Sequence, residues 1–332
     1  MLFSVIIPVY NRPEEVKDLL ESISSCVFRD FEIIIVEDGS KFPCLEVVRS
    51  FTSTLSIKYL TKSNGGPACA RNFGAKSSVG EYLLFLDSDT TITSNYFNVL
   101  ADFVKSSSPG LFGGPDMSSD DFTPLQKAIS YSMTSFFTTG GIRGGKKKIT
   151  KFIPRSFNMG VLRSAFESVD GFAPMRFGED LDLSMRLIES GYSSFFVPEA
   201  TVYHKRRTSL KGFYRQVCNS GRARVDLTLR HKGSLKFVHL LPLAFFLGSI
   251  ALLFASCISG TAFYLLPLLI YAFVVFIDSS FKEKSPIVGL LSVLSAFIQL
   301  YGYAIGFIDN FFKRVVFKKS LKANIDNDRF YS

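Results

Sequence analysis

Short apolar runs separated by turn residues fill the first two hundred positions, and long unbroken ones fill the last hundred. Phe3 to Val9 is a β-branched run, as expected of a strand buried on both faces. Asn11-Arg12-Pro13-Glu14 then predicts a helix start, with Asn11 as cap and Pro13 in the first turn, running to about Ser25. Strands are expected at Glu32–Val36, Ile57–Leu60 and Tyr82–Leu86, with a weaker helix at Leu45–Phe51 and another from Ala68 to Lys76 after the Asn64-Gly65-Gly66-Pro67 break. Further on, Phe157–Val161 reads as a strand and Ser164–Val169 as a short helix. Glu179–Ser190 reads as a helix with Leu181, Met185 and Ile188 on its apolar face and Gly191 as its stop, and Ser194–Val197 as a strand. Alternation of strands and helices predicts an α/β fold built on a mostly parallel sheet covered by helices. Residues 115–151 resist assignment; the paired glycines and Lys146–Lys148 suggest a mobile loop.

Three runs, Phe237–Ser259, Thr261–Ile277 and Ile287–Ile308, contain no Asp, Glu, Lys or Arg. A membrane-spanning helix needs roughly 20 such residues. The first two are separated by little more than Gly260, so they predict a hairpin. The third carries Gln299, Tyr301, Gly302, Tyr303 and Gly306 and is expected to be re-entrant or interfacial, which keeps the basic tail on the cytoplasmic side.

Charge sharpens this division. The formal net charge is +9. Ten Lys or Arg and one acid, Asp226, lie between Lys205 and Lys236, and a second basic cluster follows at Lys313–Lys322. Both flank apolar runs, which favours an anionic membrane surface over nucleic acid. Interleaved Phe213, Tyr214, Val217, Val225 and Leu229 predict an amphipathic stretch dipping into the headgroups. The expected organisation is a catalytic domain over 1–204, a basic interfacial linker over 205–236, a membrane region over 237–308 and a basic cytoplasmic tail over 309–332. The five cysteines are scattered without a C-x-x-C pair, and no signal peptide is evident, so the catalytic part is expected in the cytoplasm.

Ligands bind beyond the carboxyl ends of strands in an open parallel sheet. Those ends here carry Tyr10-Asn11, Glu37-Asp38 and Asp87-Ser88-Asp89, so four carboxylates crowd onto one rim. Unpaired, they would repel one another; a divalent cation is one remedy, and hard oxygen ligands suit magnesium or manganese. In an extended chain Asp87 and Asp89 would point to one side. Glu179-Asp180 sits at a predicted helix start, where free N–H groups and the helix dipole favour an ionised carboxylate able to accept a proton.

FSVIIPVYNRPEEVKDLLESI, FEIIIVEDGS, NGGPACARNFGA, EYLLFLDSDT and FGEDLDLSMRL resemble, in order and spacing, the family 2 glycosyltransferases of GT-A fold, specifically membrane-anchored enzymes of the bacterial cell-surface glycan type. The resemblance implies an inverting transferase using a nucleotide-diphosphate sugar. It implies that Pro8, Tyr10, Glu37, Asp38, Arg71, Asp87 and Ser88 line the donor nucleotide site, that Asp89 holds the metal, and that Asp180 is the base beside Glu179. His204 is a further candidate metal ligand. Gln216 and Arg222, in RQVCNSGRAR, look like the segment that covers the site at the membrane. Glu37 departs from the family's more usual Asp. The Q-x-x-R-W form of processive synthases is absent, and the chain has no Trp.

Partners expected are the nucleotide sugar, a lipid-linked or other glycan acceptor and the cytoplasmic membrane, with no nucleic acid. A polyprenyl-phosphate acceptor is the main alternative, but a phosphate is already ionised near neutral pH and needs no base. A catalytically inactive nucleotide-sugar-binding scaffold would have no need of the acids kept here. Gly140–Lys146 fits G-x-x-x-x-G-K, yet Lys147 stands where a P-loop needs Ser or Thr and no apolar strand precedes it.

Overall fold

A computed structural model describes residues 1–117, 122–139, 152–204 and 208–319. The glycine- and lysine-rich segment expected to be a loop, with its P-loop-like sequence, lies outside the described residues. The chain runs β1 (Phe3–Val9), α1 (Pro13–Ser24), β2 (Phe31–Asp38), α2 (Leu45–Phe51), β3 (Ile57–Lys62), α3 (Pro67–Lys76), β4 (Tyr82–Leu86), β5 (Thr90–Ile92), α4 (Tyr96–Ser107), β6 (Leu111–Gly113) and β7 (Asp116–Met117). It continues through α5 (Pro124–Thr134), α6 (Phe136–Thr139), β8 (Asn158–Leu162), α7 (Arg163–Ser168), α8 (Glu179–Glu189), β9 (Ser194–Phe196), β10 (Val202–His204), α9 (Leu210–Arg230), α10 (Leu241–Ser259), α11 (Leu266–Glu283) and α12 (Pro286–Phe311). Among the described residues, 1–117 and 152–204 form one compact unit, and 122–139 with 208–319 form a second.

In the first unit a seven-stranded sheet has the order β3-β2-β1-β4-β8-β6-β9, with a three-stranded sheet β5-β10-β7 beside it. Pairs β1–β2, β1–β4, β2–β3 and β6–β9 are parallel, whereas β8 runs antiparallel to β4 and β6. Side chains alternate across a strand, and the core divides accordingly. Val5, Ile7, Ile33, Ile35 and Leu84 pack with α1 and α4 on one face, while Ile6, Ile34, Val36, Leu83 and Phe85 pack with α3, α7 and α8 on the other. The β1–β4 ladder ends at Ile6↔Phe85, before Pro8, so the missing N–H of that proline costs no bond on that side.

Two local expectations change. Arg12, not Asn11, stands at the head of α1, without a side-chain cap. Asn11 takes a φ of 53°, and its Oδ1 accepts from Lys41 N at 2.7 Å and Phe42 N at 3.1 Å, which ties the end of β1 to the loop after β2. On α8 the fully buried apolar residues are Leu183 and Leu187; Leu181, Met185 and Ile188 are half-buried. The helix has apolar residues on two faces, and the face that also carries Asp180 and Ser184 is the one turned inward.

The second unit is helical. Phe237–Ser259, Ala262–Glu283 and Pro286–Val316 are long and apolar enough to cross a membrane. Phe254, Ile258, Phe263 and Phe273 stand exposed on α10, α11 and the turn between them, as surfaces meant for lipid do. Helix α12 is one unbroken helix of 26 residues, about 39 Å long, so it does not double back as a re-entrant segment would. Its glycines serve close packing instead. A Cβ on Gly306 would lie 1.9 Å from Cys218 O, and one on Gly221 would lie 2.1 Å from Tyr303 O. Arg222 pairs with Asp309 at 2.8 Å and Arg314 with Asp226 at 3.0 Å across the same crossing. Phe213, Val217 and Val225 of α9 are buried inside this unit. They are therefore not free to enter headgroups; Tyr214 and Leu229 remain exposed.

Candidate active site

Strands β2, β1 and β4 are neighbours, so their carboxyl ends form one rim, as the spacing of the motifs requires. The four carboxylates on it are not left unpaired, and the repulsion argument for a metal loses its premise. Glu37 accepts from Ser40 Oγ, from Cys44 N at 2.9 Å and from Tyr59 OH at 2.9 Å. Asp38, fully buried, accepts from Lys62 Nζ at 2.6 Å, Gly65 N at 2.9 Å and Gly66 N at 2.8 Å. These bonds fix the Asn64-Gly65-Gly66-Pro67 turn that launches α3. Burial, then the bond to Glu37, pushes the Tyr59 hydroxyl well above its ordinary range, so it stays a donor.

Asp87-Ser88-Asp89 is a turn rather than an extended stretch. Thr90 N donates to Asp87 O at 3.2 Å, and Thr90 Oγ1 donates to the same oxygen at 2.7 Å. The two carboxylates therefore have different partners: Asp87 receives Arg71 Nη2 at 2.7 Å, and Asp89 is paired with Arg12. Ser88 between them is buried. Pro8 is buried in β1, and Tyr10 is half-buried at its end.

Arg71, on α3 and almost wholly buried, is the link across the site. Its second terminal nitrogen donates to Glu179 Oε1 at 3.0 Å, and the guanidinium lies 5.5 Å from the centroid of the Phe172 ring. Glu179 and Asp180 open α8 after Gly178, whose φ of 80° a residue with a Cβ rarely adopts. The two acids are shifted in opposite directions. Burial, then the neighbouring Asp180, pushes Glu179 up to about 7 against the pull of Arg71. Burial would raise Asp180 too, but the Arg155 guanidinium, with Nε 2.6 Å from Oδ2, together with Arg71 and the Leu181 N–H, outweighs it and holds that carboxyl below its usual range. Leu181 N donates to Oδ1 of Asp180 at 2.8 Å.

The cations Arg12, Lys62 and Arg155 are site residues to which the motifs give no role. The signal for them was the crowd of acids itself: buried carboxylates are paired or hydrogen-bonded. Gln216 and Arg222 lie on α9 of the helical unit. His204 ends β10, but its side chain lies outside what the structure describes.

Asp89 offers hard oxygen that fits magnesium or manganese, but among the described residues no group of three or more His, Cys, Asp or Glu could hold a metal ion. Magnesium is commonly held by one or two carboxylates together with substrate phosphates. The donor set here suits a metal of that kind, with most ligands coming from a diphosphate and water.

Comparison with known proteins agrees with this layout. A relative described as an uncharacterized glycosyltransferase from Rickettsia felis is 38% identical over 102 residues, 31% of this chain and 17% of that protein. Poly(ribitol-phosphate) β-N-acetylglucosaminyltransferase TarS of Staphylococcus aureus is 35% identical over 108 residues, 31% of this chain and 19% of its own length. The matches thus span less than a fifth of these relatives. Among solved structures, the mannosyltransferase PcManGT from Pyrobaculum calidifontis, in complex with GDP-Man and Mn2+, matches 96% of this chain and 88% of that one with a TM-score of 0.69 at 16% identity. S. aureus TarS 1-349 in complex with UDP matches with a TM-score of 0.51 at 20% identity. The shared architecture is the GT-A fold. The model of glycosyl transferase family 2 matches residues 4–170, half of the chain, and the protein therefore belongs to that family of transferases.

Proposed function

We propose that this glycosyltransferase moves a sugar, with inversion, from a nucleotide-diphosphate donor to a hydroxyl of a lipid-linked glycan at the cytoplasmic face of the cytoplasmic membrane, in cell-surface polysaccharide synthesis. The observation that carries the reading is the Arg71 bridge. One buried guanidinium binds Asp87, at the strand end where the donor belongs, and Glu179, beside the proposed base. Donor and acceptor groups are thereby held in one frame, as an in-line displacement needs.

In that displacement the acceptor hydroxyl gives its proton to Asp180 as its oxygen attacks the anomeric carbon. The bond from that carbon to the diphosphate breaks, and its electron pair leaves with the diphosphate oxygen. Pro8, Tyr10, Glu37, Asp38, Arg71, Asp87 and Ser88 form the donor side. A divalent cation at Asp89 would supply positive charge for the leaving diphosphate. A neutral hydroxyl is a poor nucleophile, and a positioned base contributes typically about 10²–10⁴-fold. The lipid linkage is supported by α10 and α11, whose exposed apolar surfaces would keep the enzyme where lipid-linked acceptors are found.

The test is a screen of the purified full chain in lipid vesicles against labelled UDP- and GDP-sugars, with label followed into lipid extract. Label in a glycan hydroxyl linkage supports the reading. Label carried directly on polyprenyl phosphate would replace it with the phosphate-acceptor reaction.

A further inference from the structure

Asp180 has to be ionised and held still before an acceptor arrives, yet a carboxylate this deeply buried is normally driven toward its neutral form. Both of its oxygens are engaged: Oδ1 by Leu181 N at 2.8 Å, and Oδ2 by Arg155 Nε at 2.6 Å with Ser156 N at 3.4 Å. Arg155 is not a stray surface cation that happened to reach this carboxylate. Its segment is pinned on both sides, by Ser184 Oγ donating to Pro154 O at 3.1 Å and by Asn158 N donating to Arg155 O at 2.9 Å. Ser194 Oγ also donates to Phe152 O at 2.7 Å. The Arg155 side chain is 32% exposed while that of Asp180 is 9% exposed, so the pair has one inner and one outer partner.

We infer that Arg155 is a positioning residue for the acceptor step: it keeps the Asp180 carboxylate charged and fixed through Nε, and it marks the open side from which the acceptor hydroxyl must reach Oδ2. The inference rests on Asp180 being the base. The charged groups facing Asp180 are Glu179 on its own helix, Arg71 from α3 and Arg155 from the segment before β8; Arg155 in turn faces Asp116 of β7. Both cations hold the carboxyl down against the effect of burial. Removing Arg155 takes away the first of the groups that oppose burial, so the acidic limb of activity moves to higher pH.

The experiment uses full-length enzyme in vesicles and two reactions: transfer of label from the UDP- or GDP-sugar that the wild type uses, and hydrolysis of that sugar with water as the hydroxyl acceptor. Arg155→Gln, Arg155→Lys and Asp180→Asn are compared across pH. Arg155→Gln is expected to shift the acidic limb of kcat up by about one pH unit, about tenfold in rate below the limb, with donor KM within about twofold and activity recovering as pH rises. Arg155→Lys, which keeps charge but not the planar fork, is expected to restore part of the limb. If Arg155→Gln does not fold, Arg155→Met is read in its place, and an acidic limb identical to the wild type in the neutral variant overturns the proposal. A uniform loss of kcat at every pH in Arg155→Gln makes Arg155 structural only. Asp180→Asn with near wild-type turnover would remove the base itself, a separate failure that the Arg155 profiles do not decide.

Discussion

Glu37-Asp38 and Glu179-Asp180 are both pairs of adjacent buried acids, and the backbone beneath them makes them different instruments. The first pair ends a strand, where consecutive side chains point to opposite faces. Glu37 is met by a hydroxyl, a backbone N–H and a phenol, and Asp38 by Lys62 and two glycine N–H groups. Each acid has its own set of partners. The second pair opens a helix, where consecutive residues are close enough to feel each other's charge. There Glu179 is pushed up to about 7 while Asp180 is held down, and each has its own arginine. Titratable groups pushed apart by their surroundings are the usual mark of acid–base work. Satisfied, separately paired acids mark a frame that holds a loop.

The comparison is broken or sharpened first at Asp180. Asp180→Asn is expected to keep donor binding and lose about 10²–10⁴-fold in turnover, because an amide cannot accept the proton. Turnover within about tenfold of wild type would show that the helix-borne pair is no more catalytic than the strand-borne one. Asp89 comes next. Chelator should stop transfer and manganese or magnesium should restore it, and Asp89→Ala should lower transfer on the order of 10²-fold by loosening the diphosphate. Full activity in excess chelator would leave Asp89 with its pairing to Arg12 and no metal role.

Much of this was readable from the chain. The parallel core was legible because β1, β2 and β4 are mostly β-branched or apolar runs, and the acids stood out because they end β2 and follow β4. Spacing of Tyr96, Leu100 and Val104 carries the signal for α4, which a reading led by strands and motifs leaves unassigned. Strands β5, β6 and β7, of two or three residues, are too short to show any period. The counter-ions were the larger gap. Arg155 lies 25 positions before Asp180 and Arg12 lies 77 before Asp89. No local pattern joins them, because the pairing exists only once the sheet has formed. The same holds for the Gly221–Gly306 crossing: glycines that look like weak points in an apolar run become the place where α9 and α12 touch.

For the strand-borne pair the expected effect is on stability. Asp38→Asn removes the charge opposite Lys62 and one acceptor from the Gly65–Gly66 turn. Breaking a buried pair costs about 3 kcal/mol, near the low end of the usual range because Lys62 is 18% exposed. A lowered midpoint of denaturation, beside any loss of donor affinity, fits a frame that also lines the donor site. Unchanged stability with lost donor affinity would mean that Asp38 serves the nucleotide alone and holds no loop.

The smallest effect expected is the pH dependence that Glu179 gives to stability. Its folded pKa of about 7 lies above the ordinary value of 4.5, raised by burial first and by Asp180 second. A raised acid contributes stability that is present below the ordinary value and is lost as pH climbs through the folded one. Between about pH 4.5 and 7 this group therefore makes the fold progressively less stable. Asp180 works in another window: its depressed pKa contributes stability above the ordinary value of 3.8 that is lost only as pH falls through the folded value. Glu179→Gln keeps the shape and a hydrogen-bonding oxygen for Arg71 but cannot ionise. The midpoint of denaturation, measured at about pH 5 and about pH 7.5, should fall between the two in the wild type and fall less in the variant. Equal falls in both would mean that Glu179 is ionised throughout and that the two acid pairs do not differ in this respect.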